Sequence, residues 1–502
     1  MTVLALIAAT PWTATVLLAP DGARYALPEP VDFLLKTTAG GLAASGRTDR
    51  AVLQLNGLEP ATDYRLETPL GAIEFRTGHC SGKVSILDFG AQSEAADNSA
   101  AIQAAIDAVP DGGTLLVPPG RFHTGPLFLR SHMTVYLAEG AELSAIHDWR
   151  DWPILEERDD SGRVIGTWEG LPARSFASLI TAIGCKDIAL TGRGIIDGGG
   201  DRGDWWSWPK ETRRGARRPR TVFLAHCDHV VLTGLTVRNS PSWTIHPYRC
   251  RRLAAAALTI ENPPDSPNTD GFNPESCDDV SLTGLHFSVG DDCIAVKAGK
   301  RDGARTDHLA PTRNLSISHC LMERGHGAVV LGSEMSGGIT NIRIEKCTFL
   351  GTDRGLRIKT RRGRGGKVAN ISMSDVELDR VATAVAVNAF YFCDADGTSE
   401  AVQSREPAPV DATTPEICNI LVKNITATNV QLAAVALLGL PEAPLSNIRI
   451  DNMQVAFDPD AQPDVPLMAS HVPACRHEGI FARFADVVGE LTFARKDDRH
   501  AD

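Results

Sequence analysis

Lys186-Asp187-Ile188-Ala189-Leu190-Thr191-Gly192 is written again as Asp228-His229-Val230-Val231-Leu232-Thr233-Gly234 and as Asp278-Asp279-Val280-Ser281-Leu282-Thr283-Gly284. Weaker copies centre on Leu253, Leu315, Ile342, Ile371, Ile420 and Ile448, so successive reference residues from Ile188 stand 42, 23, 27, 35, 27, 29, 49 and 28 apart. A basic turn in the twenties is thus lengthened by loops in some coils. Short alternating strands at such a period, with insertions at fixed phases, specify an all-β solenoid, a right-handed parallel β-helix. Cysteine keeps the register: Cys185, Cys227, Cys250 and Cys277 each lie three residues before a reference residue, which stacks them in one internal column as small apolar side chains.

Upstream of the repeat, Asp97-Asn98-Ser99 precedes Ala100-Ala101-Ile102-Gln103-Ala104-Ala105-Ile106, and Pro110-Asp111-Gly112-Gly113 comes after it. This predicts a short amphipathic helix over about residues 97–109, capped by one of the three polar residues. A solenoid needs such a plug over its first coil, where apolar interior and strand edges would otherwise meet water. Residues 1–80 alternate apolar and polar positions between turn signals, the pattern of a small β-sandwich. Leu58-Glu59-Pro60-Ala61-Thr62-Asp63-Tyr64 resembles the tyrosine-corner segment of fibronectin type III modules. The alternative is a generic β domain that only packs against the solenoid. The division is therefore a sandwich over 1–80 and the helix-capped solenoid over 81–502.

Composition narrows the function. A formal net charge of −12 argues against nucleic acid as a partner. No run of 18 apolar residues suggests a membrane span. The eleven cysteines are odd in number and form no Cys-x-x-Cys pairs, which speaks against a disulfide scaffold or a zinc site. Met1 to Ala19 is apolar, but no Lys or Arg precedes it and Pro11 and Trp12 interrupt it, a poor secretory signal. The expectation is a cytoplasmic or periplasmic protein of a bacterium.

The same register brings charged residues together. Counted from each coil's reference residue, Asp270 lies at +17, Asp291 and Asp292 at +11 and +12, His326 at +11, Arg357 at +15 and Lys359 at +17. Coils about 4.8 Å apart would project these onto one face, within reach of a single sugar ring. Clustered carboxylates suit glycoside hydrolysis, because like charges keep one group protonated while its neighbours stay ionised. Arg357 to Lys367 contains six basic residues and no acid, a local reversal of the chain's charge that suits a polyanion of sugar carboxylates. Its residues beyond Lys359 are equally consistent with a solvated loop.

Asn268-Thr269-Asp270, Gly290-Asp291-Asp292, Gly325-His326-Gly327 and Arg357-Ile358-Lys359 stand in the order of the four signatures of glycoside hydrolase family 28, the polygalacturonases, which the chain resembles from about Ser85 to Asn452. The resemblance implies an inverting hydrolase of α-1,4-galacturonosidic bonds. Asp291 would be the general acid, Asp270 and Asp292 the base pair that activates water, and His326 a partner that orients or reprotonates the acid. Asn268, Arg357 and Lys359 would bind substrate, and Tyr391 matches the family's stacking tyrosine by spacing. Lys300 to Arg305 adds Arg301 and Arg305 as further candidates. Neither a cofactor nor a metal is implied, and the sequence is silent on oligomeric state. The opposed carboxyls of an inverting pair stand about 6.5–9.5 Å apart.

Two long insertions, 148–176 and 201–220, carry Trp205, Trp206 and Trp208, which either stack on sugars or pack against the N-terminal domain. Such loops would close one end of the cleft and resemble those of the exo-acting bacterial members. Met322 stands where secreted fungal relatives have the cysteine that pairs with the counterpart of Cys293, leaving Cys320 as the only nearby candidate. Rhamnogalacturonan or xylogalacturonan hydrolysis is the alternative activity, with a pectate lyase and a non-catalytic carbohydrate-binding solenoid ranked after it.

Overall fold

The protein is described by a computed structural model covering residues 3–303 and 305–493. The reference residues form an unbroken parallel ladder. Ile188 pairs with Val230, Val230 with Leu253, and so on through Val280, Leu315, Ile342, Ile371 and Ile420 to Ile448. Met133 extends the column before Ile188, and Val487 extends it after Ile448. The unequal spacings are absorbed in turns: strand Lys367–Asp379 pairs directly with Glu416–Val430, and the chain between them leaves and returns.

The residue before each reference position adopts a left-handed conformation, from His132 (φ 57°) and Asp187 (φ 52°) to Asn447 (φ 54°). Asparagine tolerates that region better than other residues with a Cβ. In the later coils it is asparagine throughout, and Asn341, Asn370, Asn419 and Asn447 each donate Nδ2–H to the Oδ1 of the asparagine one coil earlier, at 2.8–3.1 Å. Behind this bend the cysteine column is buried and its thiols are free. Burial pushes the Cys250 thiol far above its ordinary range, so it packs as an apolar side chain.

Helix Ser99–Ala108 closes the first coil with Ile102, Ala105 and Ile106 turned inward. Asp97 Oδ1 accepts from the Ser99 N–H at 2.8 Å. Gln103 satisfies the open edge beneath it: its Nε2 donates to Phe128 O at 3.0 Å and its Oε1 accepts from Phe128 N–H at 2.9 Å. The exposed strand edge is thereby covered.

The N-terminal residues build a three-stranded sheet (Leu4–Ala9, Thr13–Leu18, Val52–Asn56) and a four-stranded antiparallel sheet (Leu42–Arg50, Ala26–Thr37, Asp63–Thr68, Gly71–Arg76) around Leu18, Leu35, Tyr64 and Leu66. The Tyr64 hydroxyl accepts from the Glu59 N–H at 2.9 Å, the tyrosine-corner contact. Strand Val52–Asn56 lies across the coils. A Cβ on Gly284 would sit 2.3 Å from Val52 Cγ2, and one on Gly234 would sit 2.8 Å from Gln54. The glycines that end two of the three Leu-Thr-Gly copies thus lie under the module, whereas Gly192 packs against Leu137 of the preceding coil.

Candidate active site

A second parallel face carries the site. It consists of a four-stranded sheet ending at Ile245–Tyr248 and a six-stranded sheet starting at Ile294–Val296, which continues through Val329–Gly332, Arg354–Lys359 and Thr383–Asn388. Phe272 and Glu275 bridge the two sheets, pairing with Ile245 and Tyr248 on one side and with Ile294 and Lys297 on the other. Asp270 leads into this bridging segment and Asp292 into the next strand. The Gly271 N–H donates to Asp292 O at 3.0 Å and the His326 N–H to Asp291 O at 3.0 Å. Backbone pairing thus sets the aspartates and His326 in three adjacent coils.

One carboxylate oxygen each from Asp270, Asp291 and Asp292 lies within 4.8 Å of the others. Opposed inverting carboxyls stand about 6.5–9.5 Å apart, so this spacing does not by itself mark an inverting pair. Asp270 and Asp292 are 4% and 2% exposed, and Asp291 is more open. Burial and the neighbouring Asp291 charge push Asp270 well above the usual carboxylate range, while Lys297, 3.9 Å away, and the Asn273 Nδ2–H at 2.7 Å oppose the shift. Burial works in the same direction on Asp291, but His326 Nδ1 at 3.4 Å overrides it and holds that carboxyl at about 2. In return Asp291 raises His326 to about 9. In the free site His326 is therefore held toward its protonated form and Asp291 toward its ionised form.

Lys359 Nζ donates to Asp292 Oδ2 at 2.9 Å, and Arg357 Nη1 to Oδ1 at 3.4 Å. Both cations lie over the Tyr391 ring, at 5.4 Å and 6.0 Å from its centroid. Asn268 (φ 58°) is pinned by Arg218, whose Nη2 donates to its Oδ1 at 2.8 Å. Lys297, 3.9 Å from Asp270, adds a third fixed cation beside the cluster.

Asp270, Asp291, Asp292, Asn268, Lys359 and Tyr391 line one polar cavity of about 120 Å³. Pockets for drug-sized ligands run to about 300–1,000 Å³, so this one suits a single ring. Arg301 and Arg305 are not among its lining residues; Arg305 is exposed and faces Asp302 at 3.9 Å. The basic segment after Lys359 is largely neutralised: Arg361 binds Asp394 and Asp396, Arg362 binds Glu442, and Lys367 binds Glu416. Of these residues only Arg364 reaches the cavity.

Neither reading of the tryptophans holds. Trp205 and Trp208 are buried with Trp149 and Phe176 in the solenoid's own core, and Trp206 Nε1 donates to Ser240 O at 3.0 Å. The insertions act on the cavity differently. Thr167–Trp168 and Leu171–Pro172 form a hairpin whose turn is Glu169-Gly170, with φ 48° and 77°. Trp168 stacks on Trp243 at 5.8 Å, and Gly170 O accepts from the Lys300 N–H at 2.9 Å. This hairpin walls one end of the cavity, and Glu169 and Lys210 bring insertion residues into its lining.

Sequence reasoning missed Lys297, Glu334 and Trp243. Lys297 Nζ stands 3.3 Å from Glu334 and 4.5 Å from the Trp243 ring centroid. Burial disfavours its charge, but Glu334 and Asp270 raise its pKa above the ordinary value. Its signal was available: Lys297 lies 17 residues after Val280, the offset of Lys359 from its own reference residue. Cys293 is free, its Sγ directed to Arg324 O at 3.4 Å, and Cys320 is also free.

Three clustered carboxylates beside a paired histidine and fixed cations on a parallel solenoid suit a glycoside hydrolase. The model of Glycosyl hydrolases family 28 matches residues 168–465, and the chain belongs to that family. A probable polygalacturonase of Vitis vinifera is 33% identical over 77% of this chain and 77% of its own length. An exo-poly-alpha-D-galacturonosidase of Dickeya chrysanthemi is 26% identical over 76% of this chain and 71% of its own. In fold, the chain matches the family 28 exopolygalacturonase of Yersinia enterocolitica with a TM-score of 0.70 at 20% identity, over 95% of this chain and 98% of that one.

Proposed function

We propose that this protein hydrolyses α-1,4-galacturonosidic bonds with inversion and works from the ends of galacturonate chains. The observation that carries the reading is the cavity lined by the aspartate cluster and Lys359, with Arg357 paired to Asp292 behind it. Asp291 delivers the proton to the leaving oxygen, and His326 supplies it through the Nδ1 to Oδ1 contact. The Asp292 carboxylate, held by Lys359 and Arg357, takes the proton from water, and Asp270 shares and orients that water. Lys359 and Arg357 also receive the sugar carboxylate, and Tyr391 supports the ring. The course of inversion rests on family membership rather than on the carboxylate spacing. The hairpin at Glu169-Gly170 supports attack at chain ends, because a polymer cannot pass through that wall.

Digestion of de-esterified polygalacturonate, with products resolved by size over time, tests the reading. Early monomer or dimer with slow loss of viscosity is expected. A ladder of intermediate oligomers with rapid loss of viscosity removes the exo assignment. Product absorbance from a new double bond would replace hydrolysis with elimination. Asp291→Asn is expected to lose turnover by orders of magnitude while still binding substrate.

A further inference from the structure

The closed end of the cavity holds charged groups that the proposed chemistry does not use. Lys300 Nζ donates to Asp394 Oδ1 at 2.7 Å, Arg361 Nε donates to Oδ2 at 2.8 Å, and Arg364 Nη2 also binds Oδ2. Burial alone would raise Asp394, yet Arg364 and Lys300 hold its carboxyl at about 2. Three cations thus share one carboxylate, and Asp396, the second partner of Arg361, is turned to solvent with 65% of its side chain exposed. Glu334 is the other carboxylate that faces Arg364. Lys300, Arg364 and Asp394 line the same cavity as the three catalytic aspartates. The Arg364 side chain is only 3% exposed, and its Nε has no hydrogen-bond partner among the described residues. Lys300 carries three N–H donors on Nζ and spends one on Asp394.

The wall is also rigid. The Lys300 N–H is tied to Gly170 O, and a Cβ at Gly170 would lie 2.7 Å from Lys300 N and 2.9 Å from Glu334 Cβ. The opposite end is open, where His326 is 56% exposed beside Asp291. The acid role proposed for Asp291 places the leaving sugar on the side of exposed His326, which leaves the chain's non-reducing terminal residue to face Lys300 and Arg364.

We propose that Lys300 and Arg364, anchored by Asp394, form a second carboxylate-binding subsite that receives the acid group of the terminal uronate and makes the enzyme select a charged chain end. This rests on the chain-end hydrolase reading above. Asp394 fixes the two cations, and the hairpin prevents a further residue from extending past them. Methyl-esterifying that terminal carboxyl removes the charge they receive and leaves the scissile bond intact.

The test compares trigalacturonate with the same trimer esterified only on its non-reducing terminal residue. For the wild type, kcat/KM is expected to fall at least tenfold on esterification. In Lys300→Met the free trimer loses most of that advantage, and the ratio between the substrates approaches one. A general structural lesion would lower both substrates alike and keep the ratio. A wild-type ratio near one, or an unchanged ratio in folded Lys300→Met, overturns the subsite while leaving chain-end hydrolysis standing. Failure of the wild type to cleave either trimer overturns both.

Discussion

Replacing His326 with glutamine tests where the catalytic proton is kept. In the free site Asp291 sits at about 2 and His326 at about 9, because the two face each other at 3.4 Å. The shared proton is therefore retained on the imidazole until the pH approaches about 9. Glutamine keeps a polar side chain but carries no proton to give. Asp291 would then relax toward its ordinary 3.8, with burial raising it and Lys359 and the Asp292 N–H still lowering it. At pH 7 the protonated fraction of a carboxyl with that pKa is about 10⁻³, so kcat/KM should fall by about a thousandfold. The loss should shrink steadily toward pH 4. The alkaline limb of the kcat/KM profile should move from near 9 in the wild type to about 4 in the variant. Release of reducing ends from unesterified trigalacturonate, measured between pH 3.5 and 9.5, reads this directly. An alkaline limb that stays within a unit of the wild type, or full activity at pH 7, would show that His326 does not hold the proton.

The same pair makes a stability prediction. The raised His326 pKa contributes stability that is present below about 6.5 and lost as pH rises through about 9, whereas the depressed Asp291 pKa contributes stability present above about 3.8 and lost as pH falls through about 2. The difference in Tm between wild type and His326→Gln should thus be widest between about pH 4 and 6.5 and close at both extremes. Tyr64→Phe removes the tyrosine-corner hydrogen bond and should cost about 1–2 kcal/mol in the unfolding of the N-terminal unit, with kcat unchanged; an unaltered transition would mean that water replaces the contact. Proton NMR of the first turnover should show the β-anomer, and initial α-anomer would make the close carboxylates a retaining pair. A thiol reagent should label Cys393 rapidly in the native protein and leave the buried Cys185, Cys227, Cys250 and Cys277 untouched until unfolding, as mass mapping would read.

Several features were open to reading before any tertiary structure. The reference column from Ile188 to Ile448 is the ladder itself, because a solenoid repeats its core position once per coil whatever its loops do. Phase was a poorer guide to the site. Asp270 and Asp292 stand side by side although their offsets are +17 and +12. The turn from Glu261 to Phe272 spans eleven residues, whereas the one from Ser288 to Ile294 spans six, and those five extra residues account for the whole difference. An offset counted from the first face carries every irregularity of the turn before the second.

The repeat, the cysteine column and the helix plug come from spacing along one chain, and the aspartates, His326 and the Arg357–Lys359 pair from the resemblance of four short motifs to the family's signatures. Other features belong to tertiary structure. The basic segment after Lys359 looked like a free cationic patch until Asp394, Asp396 and Glu442 came back to it from distant loops. The tryptophans of the second insertion turned inward, because loops long enough to reach a sugar are also long enough to bury their own indoles. The wall made by Glu169-Gly170 and the three cations around Asp394 depend on backbone and side chains separated by up to a hundred residues or more, and only folding determines which charge meets which.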